Sequence, residues 1–330
     1  MTNKSLPFTR RVLLALAAGA VALGAQSAHA QGYPAKPVRV VVGFSAGGPT
    51  DVVARAFAEH AARALGQPFI VDNKPGANTV LAAEFVASAP PDGYTLLLGA
   101  TNHTMIPALY SARVKFDAIN SFAPVCTLAE SPTVLVVGPA MKVTTLAGFI
   151  ENVKAKPGSR TFGSPGAGSS GHFAGERFQR LTRTSLNHIP YKGAAPAITD
   201  LMGGQLDSSF ATLGSVLPQI QGGKLTALAV AAPQRSALLP NVPTFEEAGV
   251  KDFRDDAWYG LLAPAGTPPA VLEALEKAAR SFTQAPAAIE KLRGLGLNAQ
   301  NVCSTSFRGQ LQREVQANSQ LAKELNLKLE

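Results

Sequence analysis

Three stretches of this chain combine glycine with small hydroxyl side chains, each placed between an apolar run and a helical pattern: Ser45-Ala46-Gly47-Gly48-Pro49-Thr50, Ser164-Pro165-Gly166-Ala167-Gly168-Ser169-Ser170 and Lys192-Gly193-Ala194-Ala195-Pro196. A turn that opens a helix presents backbone N–H groups with no partner inside that helix, at the positive end of its dipole. Such a site holds an anion without reacting with it. The chemistry these residues predict is carboxylate binding.

Other chemistries compete with that one. Gly43-Phe44-Ser45-Ala46-Gly47 matches the G-x-S-x-G nucleophile elbow, which makes a serine hydrolase using Ser45 the alternative. The elbow normally follows several strands of its sheet, whereas this one ends the first strand-like run of the exported chain. The required histidine has no obvious candidate, since nothing in sequence singles out His103, His172 or His188. The run Gly163 to His172 resembles a phosphate loop but lacks the Lys-Ser/Thr ending of a P-loop, and a ligand-free glycine turn is its other reading. His172 reads as a capping or solvated residue or as a contact. Asp207, after Gly203-Gly204-Gln205-Leu206, binds a ligand amine or ends a turn, and Tyr191 packs between domains or stacks on a ligand. No Cys/His/Asp cluster has metal-ligand spacing, so neither a metal nor a cofactor is expected.

The elements that must position these turns alternate. Val38 to Phe44 is a continuous apolar run bounded by Pro37 and glycine, as in a strand buried on both faces. Val53, Phe57, Ala61 and Ala64 then share one helical face. The unit recurs at Phe69–Asp72 with a helix from Thr79, and at Thr95–Gly99 with a turn near Met105. A second series comprises Val134–Val137, Leu146–Lys154 (helix), Thr161–Gly163 with a helix from His172, His188–Tyr191 with a helix from Pro196, Ser208–Ala211 and Leu225–Ala231. Alternation of this kind predicts α/β architecture with parallel sheets and right-handed crossovers. Beyond Trp258 helices take over, with Thr267 as N-cap and Pro268 at the first helical position, and Val271, Leu272, Leu275 and Phe282 suited to packing on a domain already built. The C-terminal part is therefore expected to return to the first domain: residues 31–131 and 256–330 form domain 1, residues 132–255 form domain 2, and the ligand cleft lies between them.

The first thirty residues read as a secretory signal: Lys4, Arg10 and Arg11, the apolar stretch Val12 to Leu23, then Ala28-His29-Ala30 before a mature start at Gln31. Thr9-Arg10-Arg11-Val12-Leu13-Leu14 also resembles a twin-arginine export signal. Loss of this segment removes three basic and no acidic residues, lowering the formal charge from +8 to +5. Scattered Lys and Arg of that modest excess suit a small anion and argue against nucleic acid. The two cysteines, Cys126 and Cys303, are far apart and could be a disulfide or two buried thiols; the thiol reading is preferred.

Seven pieces in order give the chain a family resemblance. They are Ala46-Gly47-Gly48-Pro49-Thr50-Asp51 with Arg55, Asn73-Lys74-Pro75-Gly76-Ala77, Pro91-Asp92-Gly93-Tyr94-Thr95-Leu96-Leu97-Leu98-Gly99, the Gly-Ser loop up to His172, Tyr191-Lys192-Gly193-Ala194-Ala195-Pro196-Ala197, Gly203-Gly204-Gln205-Leu206-Asp207, and Leu239-Pro240-Asn241-Val242-Pro243-Thr244 leading to Glu247-Ala248-Gly249. The chain resembles the substrate-binding proteins of tripartite tricarboxylate transporters, the Bug family of extracytoplasmic solute receptors. The resemblance implies a two-domain periplasmic-binding-protein fold, type II-like, that closes on a small organic acid as a monomer and hands it to integral-membrane permease subunits. By the family pattern the cleft is lined by Ser45, Ala46, Gly47 and Gly48; Asn78 and Thr79; Thr101, Asn102 and His103; Ser164, Gly166, Gly168, Ser169, Ser170 and His172; and Tyr191, Lys192, Gly193 and Ala195. The chain departs from that pattern at Ser45, where proline is usual, at Asn78 and Thr79, which replace a glycine pair, and at Val80, which replaces an asparagine. Ligand preference therefore cannot be copied from the family.

Overall fold

The computed structural model describes residues 32–110, 114–253, 255–324 and 327. The expected signal segment, with its cleavage point and arginine pair, lies outside the described residues. The fold described below is that of the compact unit 36–330.

A ten-stranded mixed sheet runs through the unit in the order β2-β1-β3-β9-β4-β7-β5-β6, with β10 and β8 added on β4. The strands are β1 Val38–Val42, β2 Phe69–Asn73, β3 Thr95–Ala100, β4 Phe122–Val137, β5 Arg160–Ser164, β6 Leu186–Pro190, β7 Ser208–Thr212, β8 Thr226–Val230, β9 Asp256–Pro264 and β10 Asn298–Ala299. The helices are α1 Pro49–Leu65, α2 Val80–Ala87, α3 Ile106–Tyr110, α4 Leu146–Ala155, α5 Ser170–Thr182, α6 Ala194–Met202, α7 Leu213–Gln221, α8 Pro269–Gln284, α9 Pro286–Gly294 and α10 Ser304–Glu324. Each glycine-rich turn singled out in sequence does follow a strand and open a helix.

β4 divides the sheet. Its residues Phe122 to Pro132 pair with β9, and Thr133 to Val137 pair with β7 on one side and β8 on the other. Of the two register shifts along the first stretch, one follows Pro124, where a residue without an N–H interrupts the ladder at least cost, and the other falls between Thr127 and Ala129. Thr133 N donates to Asp255 O at 2.9 Å, so the two segments that cross between the halves of the sheet are hydrogen-bonded to each other.

Strand direction and the state of the cysteines differ from expectation. β1 is parallel to β2 and β3, and β5 to β6 and β7, as alternation requires, but β9 runs antiparallel to β3 and β4, and β4 antiparallel to β7 and β8. The chain leaves one half along β4 and comes back along β9, and strands laid side by side on opposite journeys must be antiparallel. Cys126 and Cys303 are also not two thiols: they form a disulfide that joins β4 to the residue before α10. The segment before α10 is brought back to β4 by bonds such as Val302 N to Thr127 Oγ1, which places the two sulfurs together.

The first half packs Val41, Val86, Leu97, Phe122, Trp258 and Phe307 into one apolar cluster, and the second packs Phe149, Phe162, Phe178, Phe210, Phe245 and Phe253 into another. Leu275 and Phe282 of α8 are buried as expected, with Phe282 edge-on to Phe57 of α1. Thr267 is not the cap of that helix; Pro268 is, and the Thr267 hydroxyl donates to Pro264 O. The last turn of α10 reaches α5, where Arg180 pairs with Glu324 at 2.9 Å.

Candidate functional site

The turn after β1 is built by its own backbone. Gly47 has φ +86, a left-handed conformation costly for a residue with a Cβ, and Gly48 is the extended N-cap of α1 with Pro49 at the first helical position. Buried Asp51 folds back to fix the turn: Oδ2 accepts from Gly47 N at 3.0 Å and Arg55 Nε at 2.9 Å, and Oδ1 accepts from Asn73 Nδ2 at 3.0 Å. Burial pushes the Asp51 carboxyl up, but the bonds from Arg55, Gly47 and Asn73 outweigh it and hold the group below the usual carboxylate range. Its charge is thus spent on the turn.

The turn after β5 is held from beneath. The Ser164 hydroxyl lies 2.9 Å from Gly166 O, accepts from Gly166 N at 3.2 Å, and meets His188 Nε2 at 2.7 Å. Gly168 N donates to His172 Nδ1 at 3.0 Å, and the His172 and His188 rings stack with centroids 3.9 Å apart. Burial lowers His172 to about 4; burial and the neighbouring His172 lower His188 to about 3. Both rings are therefore neutral at pH 7. Ser169 caps α5 by accepting from His172 N, and a Cβ on Gly171 would come within 2.4 Å of Phe210 O, so glycine lets α5 start against β7.

Four helices begin at one cavity of about 40 Å³. Its walls include Gly48, Pro49 and Thr50 at the start of α1, Ser169 and Ser170 at the start of α5, Ala194 at the start of α6 and the N-cap Thr212 of α7, together with Thr101, Asn102 and Tyr259. A second cavity of about 190 Å³ adjoins it through the shared residues Phe44 and Pro165, and is lined by Asn78, Thr79, Tyr110, Gly166, Tyr191 and Lys192 among others. No Asp or Glu lines either one. Each helix start carries roughly half a positive charge and first-turn N–H groups with no intrahelical partner. The arrangement can accept an anion and hold it by hydrogen bonds.

Of the residues expected in sequence, Gly48, Thr101, Asn102, Ser169 and Ser170 line the first cavity, and Asn78, Thr79, Gly166, Tyr191 and Lys192 line the second. Thr101 also ties its turn to β9, its hydroxyl accepting from Trp258 N at 2.8 Å. The Tyr191 hydroxyl is taken by Asp200 Oδ2 at 2.6 Å, and burial with that carboxylate pushes its pKa up to about 12, leaving the ring as the part that faces the cavity. Ser45 and Gly193 meet at the seam, where Ser45 Oγ donates to Lys192 O. Ala195 follows one residue into α6, outside both linings.

Other expected contacts are placed elsewhere. Ala46 and Gly47 are exposed, outside both linings; a Cβ on Gly47 would meet nothing within 4 Å, and its φ of +86 serves the turn. Ser164, Gly168 and His172 support the loop from below. His103 points into the core, with Nε2 on Ala118 O and its ring against Phe116 and Phe122, because the turn after β3 directs it toward those aromatics. Asp207 stands at the opposite end of β5 from Ser164, paired with Arg160 at 3.0 Å and accepting from Thr161 N, so it ends a turn and orders the strand. Sequence reasoning missed Phe44, Thr50, Pro165, Thr212, Tyr110 and Tyr259 as lining residues. Thr50 and Pro165 stand inside loops already singled out, but Tyr259 carries no motif and arrives only because β9 returns beside β3 and β4.

Ser45 gains no base from this geometry. The hydrogen-bond partner of its hydroxyl is a carbonyl oxygen, while His103 is in the core and His172 and His188 pair with each other.

Residues 53–327 match the tripartite tricarboxylate transporter family receptor, TctC. The chain belongs to this family. Solved structures agree with the resemblance. Periplasmic binding protein BugD is 32% identical with a TM-score of 0.86 over 90% of this chain and 100% of BugD. R. palustris Rpa4515 with adipate is 30% identical, TM-score 0.87, over 90% of this chain and 100% of that one. MatC (Rpa3494) from Rhodopseudomonas palustris with bound malate is 31% identical, TM-score 0.83, over 88% and 99%. The receptor therefore has the α/β periplasmic-binding-protein fold.

Proposed function

We propose that this receptor binds a small organic acid in the paired cavities and delivers it to the integral-membrane permease subunits of a tripartite tricarboxylate-type transporter. The observation that carries this reading is the convergence of four helix starts on one cavity with no acidic side chain in its walls. That potential stabilises a carboxylate without chemistry on it. The adipate and malate held by the two R. palustris neighbours support a carboxylate ligand. Residues 31–131 with 256–330, and residues 132–255, act as two domains hinged at the crossings beside Thr133 and Asp255, and ligand favours the closed arrangement because it touches both. The mature protein starts at Gln31, works in the periplasm as a monomer, and needs no cofactor. No helix among the described residues is long and apolar enough to cross a membrane.

A thermal-shift screen of residues 31–330 against mono-, di- and tricarboxylates, aromatic acids and acidic amino acids tests this. A ligand at a hundredfold excess over Kd adds about 2.7 kcal/mol to stability. Amide analogues should shift the melting point far less, and equal shifts from acid and amide would remove the anion site.

A further inference from the structure

One apolar cluster joins the two proposed domains. Met105, Leu109 of α3 and Ala322 of α10 close around Phe173 of α5, and each of the four is 4% exposed or less. Phe173 is the one member of this cluster from residues 132–255; the others belong to residues 31–131 and 256–330. The clusters around Phe122 and Phe210 each stay inside one of these sets. Phe173 stands one turn beyond the first cavity: Ser169 and Ser170 line it, and Phe173 N donates to Ser169 O at 3.1 Å. The facing wall is built alike, since Thr101 and Asn102 line the cavity and Met105 N donates to Asn102 O at 3.0 Å. A single hydrogen-bonded turn on each side thus separates the cavity from the contact of Phe173 with Met105.

Two polar contacts follow the same seam, Tyr110 Oη to Ala167 O at 3.4 Å and Arg180 with Glu324 at 2.9 Å. The first is long and the second exposed, so neither holds the seam strongly. Burial of the Phe173 ring is the larger effect, because parting the domains would return it to water. Phe173 lines neither cavity, so it does not meet the ligand. Resting on the two-domain receptor reading, we infer that Phe173 is a positioning residue: seated between α3 and the end of α10, it holds Ser169 and Ser170 opposite Thr101 and Asn102 before any ligand arrives. Apparent Kd is the intrinsic value divided by the fraction already in the binding-competent arrangement. Phe173 therefore sets how tightly the receptor binds without selecting what it binds.

Small-angle X-ray scattering of the mature protein without ligand tests this. Phe173→Ala should have a larger radius of gyration than the wild type. Leu321→Ser, which opens the partly buried rim of the same socket, should shift it in the same direction and decides the matter if Phe173→Ala does not fold. In calorimetry with malate and adipate, Phe173→Ala should lose at least tenfold in affinity for each acid that the wild type binds, by the same factor for both. Saturation with that acid should return the variant to the wild-type radius. Variants that melt earlier but keep the wild-type radius and affinity would show that Phe173 only fills space, and would overturn the inference. Failure of the wild type to bind any carboxylate would count against the receptor reading, while the ligand-free scattering would still decide the role of Phe173.

Discussion

The Ser45 hydroxyl donates to the main-chain oxygen of Lys192 at 2.9 Å, joining the turn after β1 to the turn after β6 across 147 residues of sequence. The bond spans the two halves of the sheet, and Tyr110 makes a second, longer one to Ala167 O at 3.4 Å. The Ser45 hydroxyl thereby fastens the seam between the two turns. Being exposed, the bond is worth about 1 kcal/mol. Ser45→Ala should therefore weaken carboxylate binding by less than about tenfold in calorimetry. Ester hydrolysis by the wild type that this substitution abolished would reinstate a nucleophilic serine.

Gly47 and its neighbour separate two roles. Gly47 has open space at its Cβ position but a φ of +86. Gly47→Val should therefore lower apo stability by more than about 1 kcal/mol, since a β-branched residue resists the left-handed region. The folded fraction should bind carboxylate as wild type does. Weakened affinity with unchanged melting would show instead that Gly47 meets the ligand.

Local pattern made the repeated strand-turn-helix units readable, because Val38–Val42, Thr95–Ala100 and Arg160–Ser164 are short runs bounded by glycine turns. β4 was only partly visible: Val134–Val137 stood out, whereas Phe122 to Thr133 carries Pro124 and Pro132 and does not look like a strand. Antiparallel pairing with β9 is a non-local choice that periodicity does not report. The same limit applies to the site. Loops at the carboxyl ends of parallel strands were legible, but the direction of a side chain within a loop depends on packing, which sent His103 to Phe122 and brought Tyr259 to the cavity. Asp207 misled for a related reason, since a glycine-rich turn marks either end of a strand.

The Cys126–Cys303 bond closes a sequence separation of 177 residues and anchors the start of α10 to β4. Closing so long a loop restricts the unfolded chain, and the stabilisation is about 2–5 kcal/mol. Reduction, or Cys126→Ala with Cys303→Ala, should lower the denaturant midpoint correspondingly. Carboxylate affinity of the folded protein should change little, because neither cysteine lines the cavities. An unchanged midpoint under reductant would show that the bond adds nothing to stability.

The stacked histidines set an acid limit. Burial lowers His172 to about 4 and, with the adjacent His172 ring, lowers His188 to about 3; His103, buried among aromatics, also falls to about 4. Glu176 Oε1 lies 3.7 Å from His172 Nε2, but burial pushes that carboxyl up, so it favours the imidazolium only weakly. In the unfolded chain these rings take up protons near pH 6.5. Between that pH and about 4 the unfolded state binds more protons than the folded one, so stability rises with pH across the window and falls on acidification. Protonating His172 would also remove the acceptor for Gly168 N and set a cation against the His188 ring, which loosens the loop that opens α5. The melting temperature should therefore decline steadily from pH 7 to pH 4, with carboxylate affinity falling at the acid end. Imidazole resonances followed by NMR should show no titration of these three rings between pH 8 and pH 5. A midpoint near 6.5 for His172 or His188 would mean that the stacked pair is solvated, and that it does not hold the glycine loop in place.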